Sequence, residues 1–97
     1  MTKADIIEEV ANKTGFTKVE TEAVFTAIID SISKALKNSS RVDIRGFGNF
    51  SVKQRVAREA RNPKTQKIIK LQERYVPIFK VSKLLREEVS KAILRGF

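Results

Sequence analysis

Residues 54–75, QRVAREARNPKTQKIIKLQERY, place the tightest limit on how this chain folds. The stretch carries Arg55, Arg58, Arg61, Lys64, Lys67, Lys70 and Arg74 against only Glu59 and Glu73, with Arg61-Asn62-Pro63 near its middle. Runs of comparable polarity flank that triplet, so the segment is predicted to fold back about a Pro-containing turn. It holds too little apolar surface for a core of its own, and a lone two-stranded ribbon is marginal in water. The expected arrangement is an arm that meets its partner outside the chain.

The remainder is small. Ninety-seven residues suit one domain, 1–97. A chain of this size buries only about two-thirds of the surface it exposes when unfolded. With a fifth of it committed to an arm, association of two or more chains would relieve a marginal core. The net charge is +9, and its distribution says more than its size. Residues 1–40 hold five Lys/Arg against six Asp/Glu, whereas residues 41–97 hold fifteen against five. That asymmetry favours a polyanionic partner, nucleic acid first and an anionic membrane surface second; the bland alternative is a solvated basic face. There is no cysteine, which fits a reducing cytosol. No apolar run approaches the roughly 20 residues of a membrane span, and Met1-Thr2-Lys3-Ala4-Asp5 lacks a signal-peptide core. A cytoplasmic protein is expected.

Thr2 followed by Asp5 is a predicted helix start, and Ile6, Ile7, Val10 and Ala11 follow helical spacing up to a stop at Gly15. Thr17-Lys18-Val19-Glu20 is a capping box that opens a second, longer helix, completing a helical hairpin. Val24, Phe25, Ile28, Ile29, Ile32, Ala35 and Leu36 form an apolar band wider than one neighbour requires. It suits either a central helix within a monomer or a helix touching a second subunit, and the small core favours the second. Lys37-Asn38-Ser39-Ser40 ends the helix. Arg41–Ile44 and Asn49–Lys53 alternate as half-buried strands around Gly46-Phe47-Gly48, and the second is expected to run unbroken into the arm. Val76–Val81 is a third strand whose Pro77 marks an edge, a bulge or a strand start. Ser82 caps a last helix with Leu84, Leu85, Val89, Ala92 and Ile93 as apolar positions and Gly96 near its stop. The fold class is α+β: an N-terminal helical hairpin (1–40), a three-stranded antiparallel sheet with a long β-arm (41–81, the arm about 54–75), and a C-terminal helix and tail (82–97). The helices should cover one side of the sheet.

Catalysis finds no support. Without His or Cys the commonest general base and thiol nucleophile are missing, nothing has metal-ligand spacing, and Gly46-Phe47-Gly48 fails as a nucleotide-binding fingerprint because Ser51 stands at its third glycine. No enzyme, cofactor, metal or small-molecule ligand is expected. Phe47 and Phe50 suit base stacking or core packing, and Phe50 shares a strand face with Val52, which favours the core. The backbone amides of Gly46 and Gly48 allow close approach of a phosphate, or simply a tight turn. Arg55, Arg58 and Arg61 recur every three residues, whereas a flat strand has period two. Aiming all three at one groove therefore demands a strong twist or a bulge. Pro63 is either a plain turn proline or, at the tip of a cationic ribbon, a rigid apolar wedge between base pairs. Unstacking costs roughly a few kcal/mol per step, offset by the extra surface that bent DNA touches.

Gly46-Phe47-Gly48-x-Phe50, Arg58-x-x-Arg61-Asn62-Pro63-x-Thr65 and Val76-Pro77-x-Phe79-x-x-x-Lys83-x-Leu85 together resemble the bacterial HU / integration host factor family. The likeness extends over roughly residues 1–91. It implies an intertwined dimer whose two β-arms enter the minor groove of double-stranded DNA, with the tip proline intercalating and bending the duplex. By position Pro63 becomes the wedge and Arg55, Arg58 and Arg61 line the groove, with Asn62 near the tip. Lys64, Lys67 and Lys70 serve the backbone, and Lys83 and Arg86 match basic positions on the last helix. Lys83 lies at the positive helix end, where it gains no dipole stability, consistent with a phosphate contact. Ala60 and Gln66 depart from the family by replacing glycines that flank the tip; Gln66 must take a positive φ or give a different turn. The tail 92–97 runs past the usual end, lengthening the last helix or making a new contact. The expected protein is an architectural, nucleoid-associated DNA-bending homodimer of low sequence specificity. A site-selective factor of integration-host type, as a heterodimer with a paralogue, is the nearest alternative; RNA or a membrane surface is the remote one, and no basic amphipathic helix supports the membrane.

Overall fold

The computed structural model describes residues 1–96; Phe97, part of the expected tail, lies outside them. The elements are α1 (Lys3–Thr14), α2 (Lys18–Lys37), β1 (Val42–Ile44), β2 (Gly48–Arg55), β3 (Arg58–Arg61), β4 (Ile68–Leu71), β5 (Arg74–Val81) and α3 (Lys83–Leu94). They fall into two compact units, Met1–Ala35 and a second that begins at Leu36.

In the first unit both helix starts follow from their capping residues. The Asp5 amide donates to Thr2 Oγ1 at 3.4 Å and the Thr2 amide to Asp5 Oδ2 at 2.8 Å. Thr17 and Glu20 repeat the exchange, with the Glu20 amide 3.1 Å from Thr17 Oγ1. Each box satisfies amides that the helix itself leaves open. Gly15 ends α1 by donating to the Ala11 carbonyl at 2.9 Å. Ile7 and Ala11, one turn apart, are the buried apolar residues of this unit, joined by Thr21, whose hydroxyl donates to the Thr17 carbonyl. Two ion pairs cross between the helices, Lys3–Glu22 at 3.9 Å and Lys18–Glu8 at 3.8 Å. Both are well exposed, so each contributes at most about 1 kcal/mol.

The broad apolar band of α2 is present as expected, but one chain leaves it open. Val24 is 57% and Ile28 52% exposed, beside a hollow of about 290 Å³ lined also by Ile7, Val10, Phe16 and Phe25.

In the second unit β2 is the central strand, flanked antiparallel by β1 and β5. The register pairs Val42 with Phe50, Phe50 with Phe79, Val52 with Pro77 and Gly48 with Val81. Strand alternation therefore gathers Val42, Ile44, Gly48, Phe50, Val52, Pro77, Phe79 and Val81 on one face. Asp43, Asn49, Ser51, Lys53, Arg55, Arg74, Val76, Ile78 and Lys80 share the other, which is therefore mixed, with the half-buried Val76 and Ile78 among its cations. Pro77 is tolerated because β5 is an edge strand, where a missing N–H costs no ladder bond. Ser82 joins sheet and helix: its amide donates to the Phe47 carbonyl at 2.9 Å, and its hydroxyl accepts from the Leu85 amide at 3.1 Å. Residues 92–94 of the tail do lengthen α3, which has no buried side chain.

Gly48 is buried on the apolar face, and its missing side chain is where Phe79 packs. A Cβ at Gly48 would lie 2.4 Å from the Lys80 carbonyl oxygen and 2.7 Å from the Phe79 ring. That ring in turn packs tilted against Phe50 at 4.8 Å and Phe47 at 5.3 Å between centroids. Gly48→Ala should cost about 1–3 kcal/mol, the usual range for overpacking, and lower the melting temperature followed by circular dichroism. An unchanged melting temperature would remove this packing from the account of the sheet.

Candidate nucleic-acid interface

The arm is a second ribbon, β3 paired with β4, set beyond the end of β2 and β5. Here the structure corrects one expectation: the strand does not continue unbroken into the arm. Residues 56–57 and 72–73 fall outside the ladders, between the pairs Arg55–Arg74 and Arg58–Leu71. Two residues are omitted on each side, so the register is unchanged across the gap. No bulge is present. The Gln54 side-chain amide donates to Glu73 Oε1 at 2.5 Å, bridging the interruption.

This gap answers the demand raised by the period-three arginines. In a regular ladder Arg55 and Arg58 would face opposite ways, three residues apart. With the ladder open between them, both line one concavity, together with Gln54, Val56 and Arg74. Arg58 and Arg61 remain within β3, and alternation sets them on opposite faces of the tip ribbon. Arg61 shares its face with Glu59, Ile68 and Lys70, and Arg58 shares its face with Ala60 and Ile69. The three arginines thus surround the ribbon, not one side of it.

At the tip the ladder closes with the Asn62 amide donating to the Lys67 carbonyl at 3.0 Å. Asn62 organises the loop further: its carbonyl accepts from the Gln66 amide at 2.8 Å and its side-chain oxygen from the Lys64 amide at 2.9 Å. Pro63 sits between, where its lack of an N–H leaves nothing unsatisfied, and its ring is exposed at the turn. Lys64 and Lys67 flank it, also exposed. Gln66 takes φ +60°, the first of the two outcomes open to its glycine-replacing position. Ala60, at the other such position, is an ordinary strand residue opposite Ile69.

The remaining sequence-derived residues lie elsewhere. Gly46 is exposed in the β1–β2 turn with φ +82°, while Gly48 is buried, its bareness explained by Phe79. Lys83 and Arg86 are exposed on the first turn of α3. Three basic residues stand outside the sequence-derived set: Lys53, Arg74 and Lys80 share the sheet face of Arg55, together with Val76 and Ile78. Only the register reveals this, because β5 reads as an apolar strand in isolation. No helix among the described residues is long and apolar enough to cross a membrane.

A helical hairpin, a three-stranded sheet and a cationic ribbon capped by an exposed proline define a small α+β protein built around a projecting arm. The family model for bacterial DNA-binding proteins matches residues 1–90. Integration host factor subunit beta of Marinobacter nauticus is 41% identical over 98 residues, covering all of both chains. DNA-binding protein HU of Clostridium pasteurianum is 38% identical over 94% of this chain and the whole of its own. Among solved structures, HU of Anabaena cocrystallised with DNA superposes with a TM-score of 0.83 at 39% identity, covering 92% of this chain and 97% of that one. The chain belongs to the bacterial HU / integration host factor family.

Left-handed backbone costs a non-glycine residue roughly 1–2 kcal/mol, part of which glycine loses again through its greater freedom when unfolded. Gln66→Gly should therefore stabilise the closed tip by about 0.5–1 kcal/mol. Amide hydrogen exchange at Asn62 reads it as roughly two- to five-fold slower exchange. Unaltered exchange would mean that the turn at Gln66 carries no strain.

Proposed function

We propose that this protein is an architectural DNA-binding protein that grips duplex DNA through the minor groove with its β-arm and bends it. The observation that carries the reading is the tip itself: an exposed Pro63 in a loop fixed by three hydrogen bonds that Asn62 makes to Lys64, Gln66 and Lys67, on a ribbon whose basic side chains form no ion pair among the described residues. The Anabaena relative, crystallised with DNA, supports the same partner. In this reading Pro63 wedges between base pairs, and Arg55, Arg58 and Arg61 enter the groove around the ribbon. Asn62 stays beside the wedge, while Lys64, Lys67, Lys70, Lys83 and Arg86 hold backbone phosphates. Gly46 offers an unobstructed amide to a phosphate, and Gly48 leaves room for the Phe79 ring. Minor-groove edges separate mainly A·T from G·C, so preference follows DNA deformability more than base identity.

The working unit is a homodimer. Among the described residues no side chain has less than 2% of its surface exposed, and Val24, Ile28 and, at 43%, Phe79 are open. A second copy covers that surface and supplies the second arm. The role is binding and shaping, without catalysis, in the cytoplasm at the nucleoid. A site-selective heterodimer is the second reading. It is favoured by the match to an integration host factor subunit over the whole chain, tail included.

Affinity for a random duplex should fall linearly with salt on logarithmic axes, with a slope of about −0.9 per neutralised phosphate. Pro63→Ala should reduce bending, read by energy transfer between duplex ends, far more than it reduces affinity. A flat salt dependence, or bending untouched by the substitution, would overturn the electrostatic arm or the wedge respectively.

A further inference from the structure

The paired part of the arm carries one acid. Glu59 lies in β3 directly opposite Lys70 and shares its ribbon face with Arg61 and Ile68. Opposite charges set across a ladder ordinarily attract, yet this pair stays open: among the described residues the ion pairs involve Lys3, Lys18 and Arg41. Glu59 is exposed and borders a hollow of about 250 Å³ with Ala57, Arg58 and Lys70. The other carboxylate of the stretch, Glu73, accepts a hydrogen bond from Gln54 and lies outside both ladders. Glu59 thus presents an unpaired carboxylate on a cationic ribbon, three residues before Asn62.

Such a group is costly in a minor groove. The phosphates that wall the groove repel it, and an ionised carboxylate can only accept hydrogen bonds. The floor over A·T pairs offers acceptors alone, adenine N3 and thymine O2, whereas G·C adds the guanine N2 amino group, the one base donor there. We propose that Glu59 reads this donor: its carboxylate accepts a hydrogen bond from the guanine N2 amino group of a G·C pair three to four base pairs from the Pro63 wedge, and disfavours A·T at that step. The spacing follows from the strand, whose rise of about 3.3 Å per residue matches the roughly 3.4 Å between base pairs. A groove about 6 Å wide encloses both faces of a two-stranded ribbon, so the face of Glu59 meets it along with that of Arg58. Lys70, left unpaired, stays available to a phosphate. The inference rests on the minor-groove reading above, and adds one contact with base identity to a preference otherwise set by deformability.

The test uses the full chain and duplexes with a single-nucleotide gap, where unstacking is easiest and the kink is therefore fixed. The pairs three and four steps from the gap are G·C, inosine·C, A·T or 2,6-diaminopurine·T. Inosine lacks the N2 amino group of guanine, and diaminopurine supplies it to a pair otherwise like A·T, so the donor is varied by itself. The parent should bind the two amino-bearing duplexes about three- to tenfold more tightly than the two without. Glu59→Ala should bring both ratios close to one and bind the inosine duplex at least as tightly as the parent, because the carboxylate repelled by phosphates is gone. Glu59→Gln should also lose the preference, since an amide donates to adenine N3 or thymine O2 as readily as it accepts. Parent ratios of one, or ratios preserved in Glu59→Ala, would overturn the contact. So would equal weakening of Glu59→Ala on all four duplexes, which would leave Glu59 a cross-strand support for Lys70. A parent that binds none of the duplexes at any salt would overturn the DNA-binding reading instead.

Discussion

A single uninterrupted register governs the second half of this protein. From Gly48–Val81 to Arg61–Ile68 every pair on the outgoing and returning strands keeps the same alignment, even across the gap at the root of the arm. A one-residue slip would send each side chain to the opposite face. It would put Phe79 on the opposite face, leave the space over Gly48 empty, and move Arg74 away from Arg55. The packing of Phe79 against Phe50 and over Gly48 guards against such a slip, because only glycine admits the ring. A local steric condition in the sheet thus sets the geometry at a tip more than a dozen residues away along the strand.

The same register explains how a ribbon that cannot form a core remains specific in shape. One face of the sheet is largely apolar; the other mixes Val76 and Ile78 with Lys53, Arg55, Arg74 and Lys80, cations that lead to the root of the arm. Past Arg55 and Arg74 the arm is held by four strand pairs and by the hydrogen bonds around Asn62. Such a structure keeps its charged surface available and its apolar Ile68 and Ile69 uncovered, at 60% and 43% exposure. It is arranged for contact with a partner, at the expense of its own stability.

Much of this was legible in the sequence, for physical reasons that act locally. The caps at Thr2, Thr17 and Ser82 need only side chains three residues from the amides they bind, and all three form. The turn at Pro63 follows from a ring that fixes φ and removes a donor. For Gln66 the sequence left a positive φ or a different turn open, and the structure has the positive φ. The interruption at residues 56–57 was not legible, because nothing in Arg55-Val56-Ala57-Arg58 breaks a strand. It lies just past the last pair of the β2–β5 ladder, Arg55 with Arg74, which are nineteen residues apart in the chain. For the same reason the packing role of Gly48 was not legible: the ring that occupies its missing side chain comes from Phe79, on another strand.

The sequence alone therefore determined the order of elements, their ends, the existence of a basic arm and the proline at its tip. Each rests on short-range chemistry: capping, alternation, turn formation and net charge. Tertiary structure decided which arginines face each other, where the ribbon opens, and why Gly48 must be bare. Those depend on pairing between segments remote in the chain, and pairing distributes side chains between faces by geometry that no single segment contains. The arm read from residues 54–75 stands, but its root proves to be as definite a feature as its tip.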